Sequence, residues 1–324
     1  MEMEHPAFRW CFIGTGTLAR TAAAEITASG RHRVASAYSR RFDAAAQFAG
    51  QYGGRAYENA EEAMINADAV YVVTPHPSHY TYVKQAIGLG KPVLCEKPFT
   101  VIGSETRELF ELAAEKKVYI VEGMWTWFAP VANKVKEWLD SGEVGEVKQV
   151  VTKYLVNVLN YAPRLTDPEL AGGAILDSGV YPITYLYRLF GKPTGVACRG
   201  VIENGIDLSD EIDLTFADGR THHISLSIGD DRREEYIRIC GTRADIFADH
   251  FHYADRVEMT DREGKLIRAF EGKTTLLNEF DLTAGEIRSG RKESAFVPPQ
   301  ATMDVMDIMD ECRRQIGLVY PFEK

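Results

Sequence analysis

No run of apolar residues in this chain is long enough to span a bilayer, so a membrane-crossing helix is not expected. Positive charge is also in short supply: 37 Lys and Arg stand against 47 Asp and Glu, a formal net charge of -10. That balance argues against a general affinity for nucleic acid or an anionic membrane, although local basic clusters remain free to hold phosphates. Cysteine is sparse. Cys11, Cys95, Cys198, Cys240 and Cys312 are scattered, odd in number and mostly set in apolar runs, which suits buried free thiols in a reducing cytosol rather than a disulfide framework. Internal repeats and low-complexity segments are missing. No metal site is expected, because His76 and His79 have no cysteine, acid or third histidine beside them to complete one. The opening Met1-Glu2-Met3-Glu4-His5-Pro6 is acidic, unlike a signal peptide, and reads as a short tail on a cytoplasmic protein.

What is present suits a two-domain globular chain. The 324 residues are 45% hydrophobic and 26% charged, enough for a large core. Phe8 to Ile13 reads as a strand running into Gly14-Thr15-Gly16-Thr17-Leu18-Ala19, followed by a helix-like segment that stops at Gly30. In such a G-x-G-x-x-A turn the first glycine permits the tight bend. The second lets the backbone approach a pyrophosphate, and the small Ala19 allows close helix–strand packing. The next strand, His32 to Tyr38, ends in Ser39-Arg40-Arg41. A dinucleotide fold tests the adenosine ribose about there. A hydroxyl and arginines suit a 2′-phosphate, hence NADP, where an acid would suit NAD; the alternative is that both arginines merely start a solvated helix.

The stretch Lys91-Pro92-Val93-Leu94-Cys95-Glu96-Lys97-Pro98 carries the chemical reading. Val93 to Cys95 is a buried strand, and Pro98 stops it while biasing Lys97 toward an extended backbone. Ligands bind at the carboxyl ends of parallel strands, so a Glu-Lys pair there is a candidate for proton transfer beside a nicotinamide. An ordinary strand-end ion pair is the alternative. Other buried strands, Ala69 to Val73 and Val118 to Val121, alternate with helices and give a doubly wound parallel sheet over residues 1–125.

Beyond Val144 the pattern becomes successive strands: Val147 to Tyr154, Gly195 to Ile202, Ile212 to Phe216, Thr221 to Ile228 and Tyr236 to Cys240. Asp218-Gly219 is a tight hairpin signal between two of them, and Asp261 to Lys265 reads as another turn. Residues 126–324 therefore form an α+β domain with a large, mainly antiparallel, open-faced sheet, and late helices at Leu276 to Ser289 and Thr302 to Ile316. The last helix is a candidate to pack back on the first domain. Ile212 to Phe216 and Ile224 to Ile228 alternate apolar with small polar residues. The second face of this sheet then carries few charges, and a homodimer through it is expected. Before the hairpins comes Gly172-Gly173-Ala174-Ile175-Leu176-Asp177-Ser178-Gly179-Val180-Tyr181-Pro182, in which Asp177 and Tyr181 share a face if a helix begins there. Spacing alone leaves Asp177 equally a helix cap or a site residue.

Gly14 to Ala19, Thr74-Pro75-His76-Pro77-Ser78-His79, Glu96-Lys97-Pro98 and Gly172 to Tyr181 stand in one order along essentially the whole chain. In that order they resemble the glucose–fructose oxidoreductase / inositol dehydrogenase / MocA family. Glu122 to Phe128 and the ending Arg314 to Pro321 are similar to its branch of dimeric diol and sugar dehydrogenases. The resemblance implies an N-terminal Rossmann domain and an NADP-dependent oxidoreductase acting on a sugar or diol. It gives Lys97 the proton exchange with the reacting hydroxyl, flanked by Asp177 and by Tyr181, which stands where many members have histidine. Gly14, Thr15, Gly16, Thr17, Leu18, Ser39, Arg40, Arg41, Thr74, Pro75, His76, His79, Glu96 and Lys97 would meet the cofactor. His79, Trp125, Tyr154, Asp177, Tyr181, Phe280 and Asp281 would wall the substrate. Trp127 departs from the arginine usual in that branch. A redox-dependent glycosidase and a non-catalytic nucleotide sensor are the competing readings; intact Lys97, Asp177 and Tyr181 speak against the sensor.

Overall fold

The computed structural model describes residues 6–160 and 162–323, so the expected tail, apart from Pro6, lies outside the described residues. Backbone contacts divide the chain into two units. The first is Met1–Met124 with Thr275–Thr302; the second is Trp125–Thr274 with Met303–Lys324.

In the first unit six parallel strands, β1 (Phe8–Ile13), β2 (His32–Tyr38), β3 (Arg55–Tyr57), β4 (Ala69–Val72), β5 (Val93–Glu96) and β6 (Ile120–Gly123), lie in the order β3-β2-β1-β4-β5-β6. The helices α1 (Thr17–Ala28), α2 (Phe42–Tyr52), α3 (Ala60–Ile65), α4 (His79–Gly88) and α5 (Gly103–Lys116) alternate with them. Every residue of β4, β5 and β6 is buried, as expected of parallel strands covered on both faces. In α1 the buried residues Ala19, Ala22, Ala23 and Ile26 fall on one stripe at helical spacing. Asn59 starts α3 by accepting a hydrogen bond from the Glu62 N–H at 3.1 Å. Strand β3 was not expected; with three residues it has too little pattern to register.

Helix α9 (Leu277–Arg288) belongs to this unit. Its Phe280 is fully buried, with its ring centroid 4.8 Å from Trp10 and 4.9 Å from Tyr71. Burying a phenylalanine in this way is worth about 1.5–3 kcal/mol. The returning segment is thus Thr275–Thr302, whereas the last helix, α10 (Pro299–Ile316), belongs from Met303 onward to the second unit.

The second unit begins with α6 (Trp125–Phe128) and α7 (Pro130–Asp140). Its sheet holds β7 (Val147–Asn157), β8 (Gly195–Glu203), β9 (Ile206–Thr215), β10 (Thr221–Ser227), β11 (Gly229–Gly241), β12 (Ala244–Asp249), β13 (Arg256–Asp261) and β14 (Leu266–Glu271). Their order is β14-β13-β12-β11-β7-β10-β9-β8, antiparallel throughout except where β10 runs parallel to β7. The Asp218-Gly219 turn joins β9 to β10, with Gly219 at φ 82°. Strand β12 was not foreseen, while β13 and β14 flank the expected turn at Asp261 to Lys265. Edge strand β14 is exposed along nearly its whole length.

Alternation buries Ile212, Leu214, Ile224, Leu226, Ile237 and Ile239. The exposed face is not poor in charge: His223 bridges Glu211 and Asp213, and Lys153 pairs with Glu234 at 2.5 Å. Glu211 and Glu234 lie just outside the strand segments assigned there, but Lys153, Asp213 and His223 lie within them, so the expectation overlooked these charges.

Among the described residues no helix is long and apolar enough to cross a membrane. All five cysteines are free thiols.

Candidate functional site

In the first unit the predicted cofactor residues gather at the carboxyl ends of four neighbouring strands, β2, β1, β4 and β5. Sheet order reverses between β1 and β4, and Val73 N–H bonds Ile13 O at 2.9 Å, closing the strand ends together. Ligands of doubly wound sheets bind at such a reversal. Gly14 has φ 108°, and a β-carbon there would stand 2.5 Å from Val73 O, so only glycine fits this turn. At Gly16 a β-carbon would meet open space, and Gly16 caps α1 with no side-chain hydrogen bond. The first amides of the helix therefore face outward without an internal acceptor, as a pyrophosphate requires. The Thr74 hydroxyl oxygen, just past β4, is buried without a hydrogen-bond partner among the described residues. A buried hydroxyl left so is costly unless a ligand meets it. These features fit a dinucleotide.

Ser39 is half-buried just past β2, while Arg40 and Arg41 are exposed and make no ion pair among the described residues. Tyr38 and Tyr82 pack edge to face beside them at 5.9 Å.

Glu96 ends β5, and Lys97 follows it, half-buried, with a cis peptide to Pro98. Tyr71 donates to Glu96 at 2.5 Å. Next to β5, on β6, Glu122 is buried and accepts from the Phe99 N–H at 3.1 Å and the Thr302 hydroxyl at 3.1 Å. Burial pushes its carboxyl up to about 7, against the lowering effect of those two bonds. Glu279 on α9 is wholly buried with neither oxygen bonded among the described residues; burial, then the charges of Glu96 and Glu25, raise its carboxyl well above the usual range. Two buried carboxyl groups with raised pKa, Glu122 and Glu279, thus accompany the strand end that carries Lys97.

His79 is fully buried at the start of α4, Nδ1 2.9 Å from Pro98 O and Nε2 2.8 Å from Thr74 O. Burial outweighs those carbonyls and lowers its pKa. The ring lies between the loops after β4 and β5, and in its neutral form its single N–H donates to one of the two carbonyls. His76 is likewise buried, its ring 5.9 Å from that of His79. Among the described residues no cluster of His, Cys, Asp or Glu could hold a metal. Phe280 and Asp281 leave the wall. Phe280 is core, and Asp281 bonds Arg31 at 2.7 Å and His32 at 2.8 Å. Their helix returns to the first unit, which local sequence does not announce. A cavity of about 630 Å³ lies elsewhere, lined by Phe8, Arg9, Arg33, Asp68 and Arg288 at the starting ends of β1 and β2.

In the second unit Trp125, Tyr154 and Tyr181 come together. Ring centroids of Trp125 and Tyr154 lie 6.4 and 6.2 Å from that of Tyr181. Tyr181 is the second residue of α8 (Val180–Phe190), which follows a π-helical turn over Ile175–Gly179. Asp177 lies inside that turn and not at a cap position, and its carboxylate pairs with Arg164 at 2.9 Å. The turn is anchored from beneath: Asp207 Oδ2 accepts from the Ile175 N–H at 2.6 Å. Gly173, at φ 117°, leaves the space that Asp207 occupies, since a β-carbon would stand 1.9 Å from its Oδ1. Asp207 and Asp210 are both buried, and burial raises both carboxyls, with the charge of Asp207 raising Asp210 further.

Sequence reasoning missed His252 and Glu235. Antiparallel pairing sets Glu235 on β11 opposite Tyr154 on β7, and Glu235 binds Nδ1 of His252. The His252 ring centroid is 4.8 Å from Tyr181 and 4.9 Å from Tyr154. Only the strand register, which the sequence pattern does not specify at that point, connects these residues.

Comparison with known proteins agrees with this fold. A model of the oxidoreductase family with an NAD-binding Rossmann fold (GFO/IDH/MocA) matches residues 8–124, and one of the GFO/IDH/MocA C-terminal domain matches residues 132–247. The chain is 29% identical to D-xylose 1-dehydrogenase (NADP(+)) of Hypocrea jecorina, over 97% of this chain and 93% of that one. It is 28% identical to trans-1,2-dihydrobenzene-1,2-diol dehydrogenase of Mus musculus, over 98% and 99%. Its fold matches that of KijD10, a 3-ketoreductase from Actinomadura kijaniata solved with NADP and TDP-benzene. The TM-score is 0.86 at 22% identity, over 96% of this chain and 98% of that one.

Proposed function

Since the chain belongs to the GFO/IDH/MocA family of NAD(P)-dependent oxidoreductases, we propose that it moves a hydride between NADP and a carbinol carbon of a sugar or diol. The observation that carries this reading is the convergence of the Gly14 turn, the unpartnered Thr74 hydroxyl and Lys97 at the ends of β1, β4 and β5. The full-length relatives named for NADP-dependent D-xylose oxidation and for diol oxidation support the substrate class. When bound, the nicotinamide supplies hydride transfer, chemistry no side chain provides.

In the first unit the amides at the start of α1 take the pyrophosphate, and Ser39, Arg40 and Arg41 take the 2′-phosphate. Lys97, as a neutral amine, accepts the hydroxyl proton as the hydride leaves; without a base a high-energy protonated carbonyl would form. In the second unit Trp125, Tyr154, Asp177 and Tyr181 hold the substrate, Tyr181 through its hydroxyl and Trp125 through its face. The protein is further proposed to be a homodimer. Light scattering at micromolar concentration tests this, and a monomer refutes it.

The test of the activity is a panel of sugars and diols, D-xylose among them, read by NADPH absorbance with NADP and with NAD. Net NADPH formation on at least one member is expected. Glycoside cleavage without net NADPH would favour the redox-dependent glycosidase instead.

A further inference from the structure

His252 lies in the loop after β12, 8% exposed, inside the aromatic group of the second unit. Glu235, 6% exposed, binds Nδ1 of His252 through Oε1 and lies 3.2 Å from Nδ1 of His250 through Oε2. A carboxylate only accepts, so Nδ1 of His252 carries the hydrogen and Nε2 of the neutral ring is left as an acceptor. Among the described residues the Tyr154 hydroxyl stands 3.3 Å from Nε2. A hydroxyl donor is usually nearer, at roughly 2.8 Å, so this bond is long and easily exchanged. Rings of Tyr181, Tyr154 and Trp125 stand around the imidazole at 4.8, 4.9 and 5.7 Å.

We infer that His252 and Tyr154 together read one substrate hydroxyl, and that Glu235 is the positioning residue that fixes the His252 tautomer for this task. The hydroxyl donates to Nε2 and accepts from the tyrosine O–H, replacing the long direct bond with two of ordinary length. Such a pair favours a hydroxyl over a hydrogen, a methoxy group or a fluorine at that substrate position, because each of those leaves a polar partner unmet. The inference rests on the proposed sugar or diol substrate and adds the residues that select among such substrates.

The test uses D-xylose and its monodeoxy analogues with NADP and the full chain. Wild type should lose tenfold or more in kcat/KM on at least one analogue. His252→Phe should raise KM for D-xylose more than it lowers kcat and should abolish that discrimination. Glu235→Gln, which keeps volume and shape, should lose part of it, with NADP affinity unchanged in both variants. Equal discrimination by wild type and His252→Phe, or none by wild type, overturns the inference. If wild type oxidises no member of the wider panel, the dehydrogenase reading fails separately. Binding of the same analogues, followed by tryptophan fluorescence, then decides this inference: a preference that depends on His252 supports it, and identical binding by wild type and both variants overturns it.

Discussion

In the first unit the residues that matter lie close together along the chain or at the ends of adjacent parallel strands: Gly14 after β1, Thr74 after β4, Lys97 after β5. Much of their placement is done by backbone, since Gly14 turns under a carbonyl and His79 lies between two more. In the second unit Trp125, Tyr154, Tyr181, Glu235 and His252 come from two helices, two strands and a loop, and side chains hold one another in place. A site built from backbone tolerates few residue types but is written in short motifs. A site built from side chains permits substitution and is specified only by long-range register.

The largest expected effect strikes the backbone-built site. Gly14→Ala adds a β-carbon against Val73 O in a region of φ that costs about 1–3 kcal/mol before any clash. Cofactor binding should be lost and the melting temperature lowered; unchanged NADP binding would break the contrast between the units.

Next is the buried carboxyl of Glu122. Burial raises Glu122 from 4.5 to about 7, so the folded state prefers its neutral form. The stability it contributes is complete below the lower value and is lost as pH rises through the higher, by roughly 3 kcal/mol when ionisation is complete. Glu122→Gln should therefore lose less melting temperature than wild type as pH rises from 5 to 8, the remaining slope coming from Glu279, Asp207 and Asp210. Parallel profiles would show that Glu122 is not the group.

The cofactor arginines come third. A charge-assisted bond of about 1.5–3 kcal/mol means that Arg40→Ala weakens NADP ten- to a hundred-fold and leaves NAD nearly unaffected. Fluorescence titration of both cofactors checks it, and equal affinities in the wild type would remove NADP preference from the account.

These contrasts explain what the sequence could announce. The Rossmann turn, the Glu96-Lys97 strand end and the strand run from Val147 onward were legible because each is a local pattern with a physical reason. The buried carboxyls that accompany that strand end were not, because Glu279 arrives from a helix that returns to the first unit late in the chain. Phe280 and Asp281 were misread for the same reason. Tyr181 could be placed on a helix, but its neighbour His252 depends on how β11 and β7 align.

The smallest effect concerns the support of the second unit. Burial and the charge of Asp207 raise the Asp210 carboxyl the further of the two, so Asp210→Asn, which is neutral and places an N–H there, should cost less than about 1 kcal/mol in denaturant unfolding. Asp207→Ala strands the Ile175 N–H and should cost about 1–3 kcal/mol. The reverse ranking would place the charge on the other carboxylate.

The central claim is that the first unit supplies the proton path through Lys97 while the second unit positions substrate. Its most direct measurement is turnover across pH for Lys97→Met and Tyr181→Phe, with NADP affinity measured alongside. Positioned acid–base groups contribute about a hundred- to ten-thousand-fold in rate. Lys97→Met should lose that much of kcat with NADP bound nearly as before, and Tyr181→Phe should lose less. Turnover of Lys97→Met within tenfold of wild type, or greater damage from Tyr181→Phe, would contradict the account.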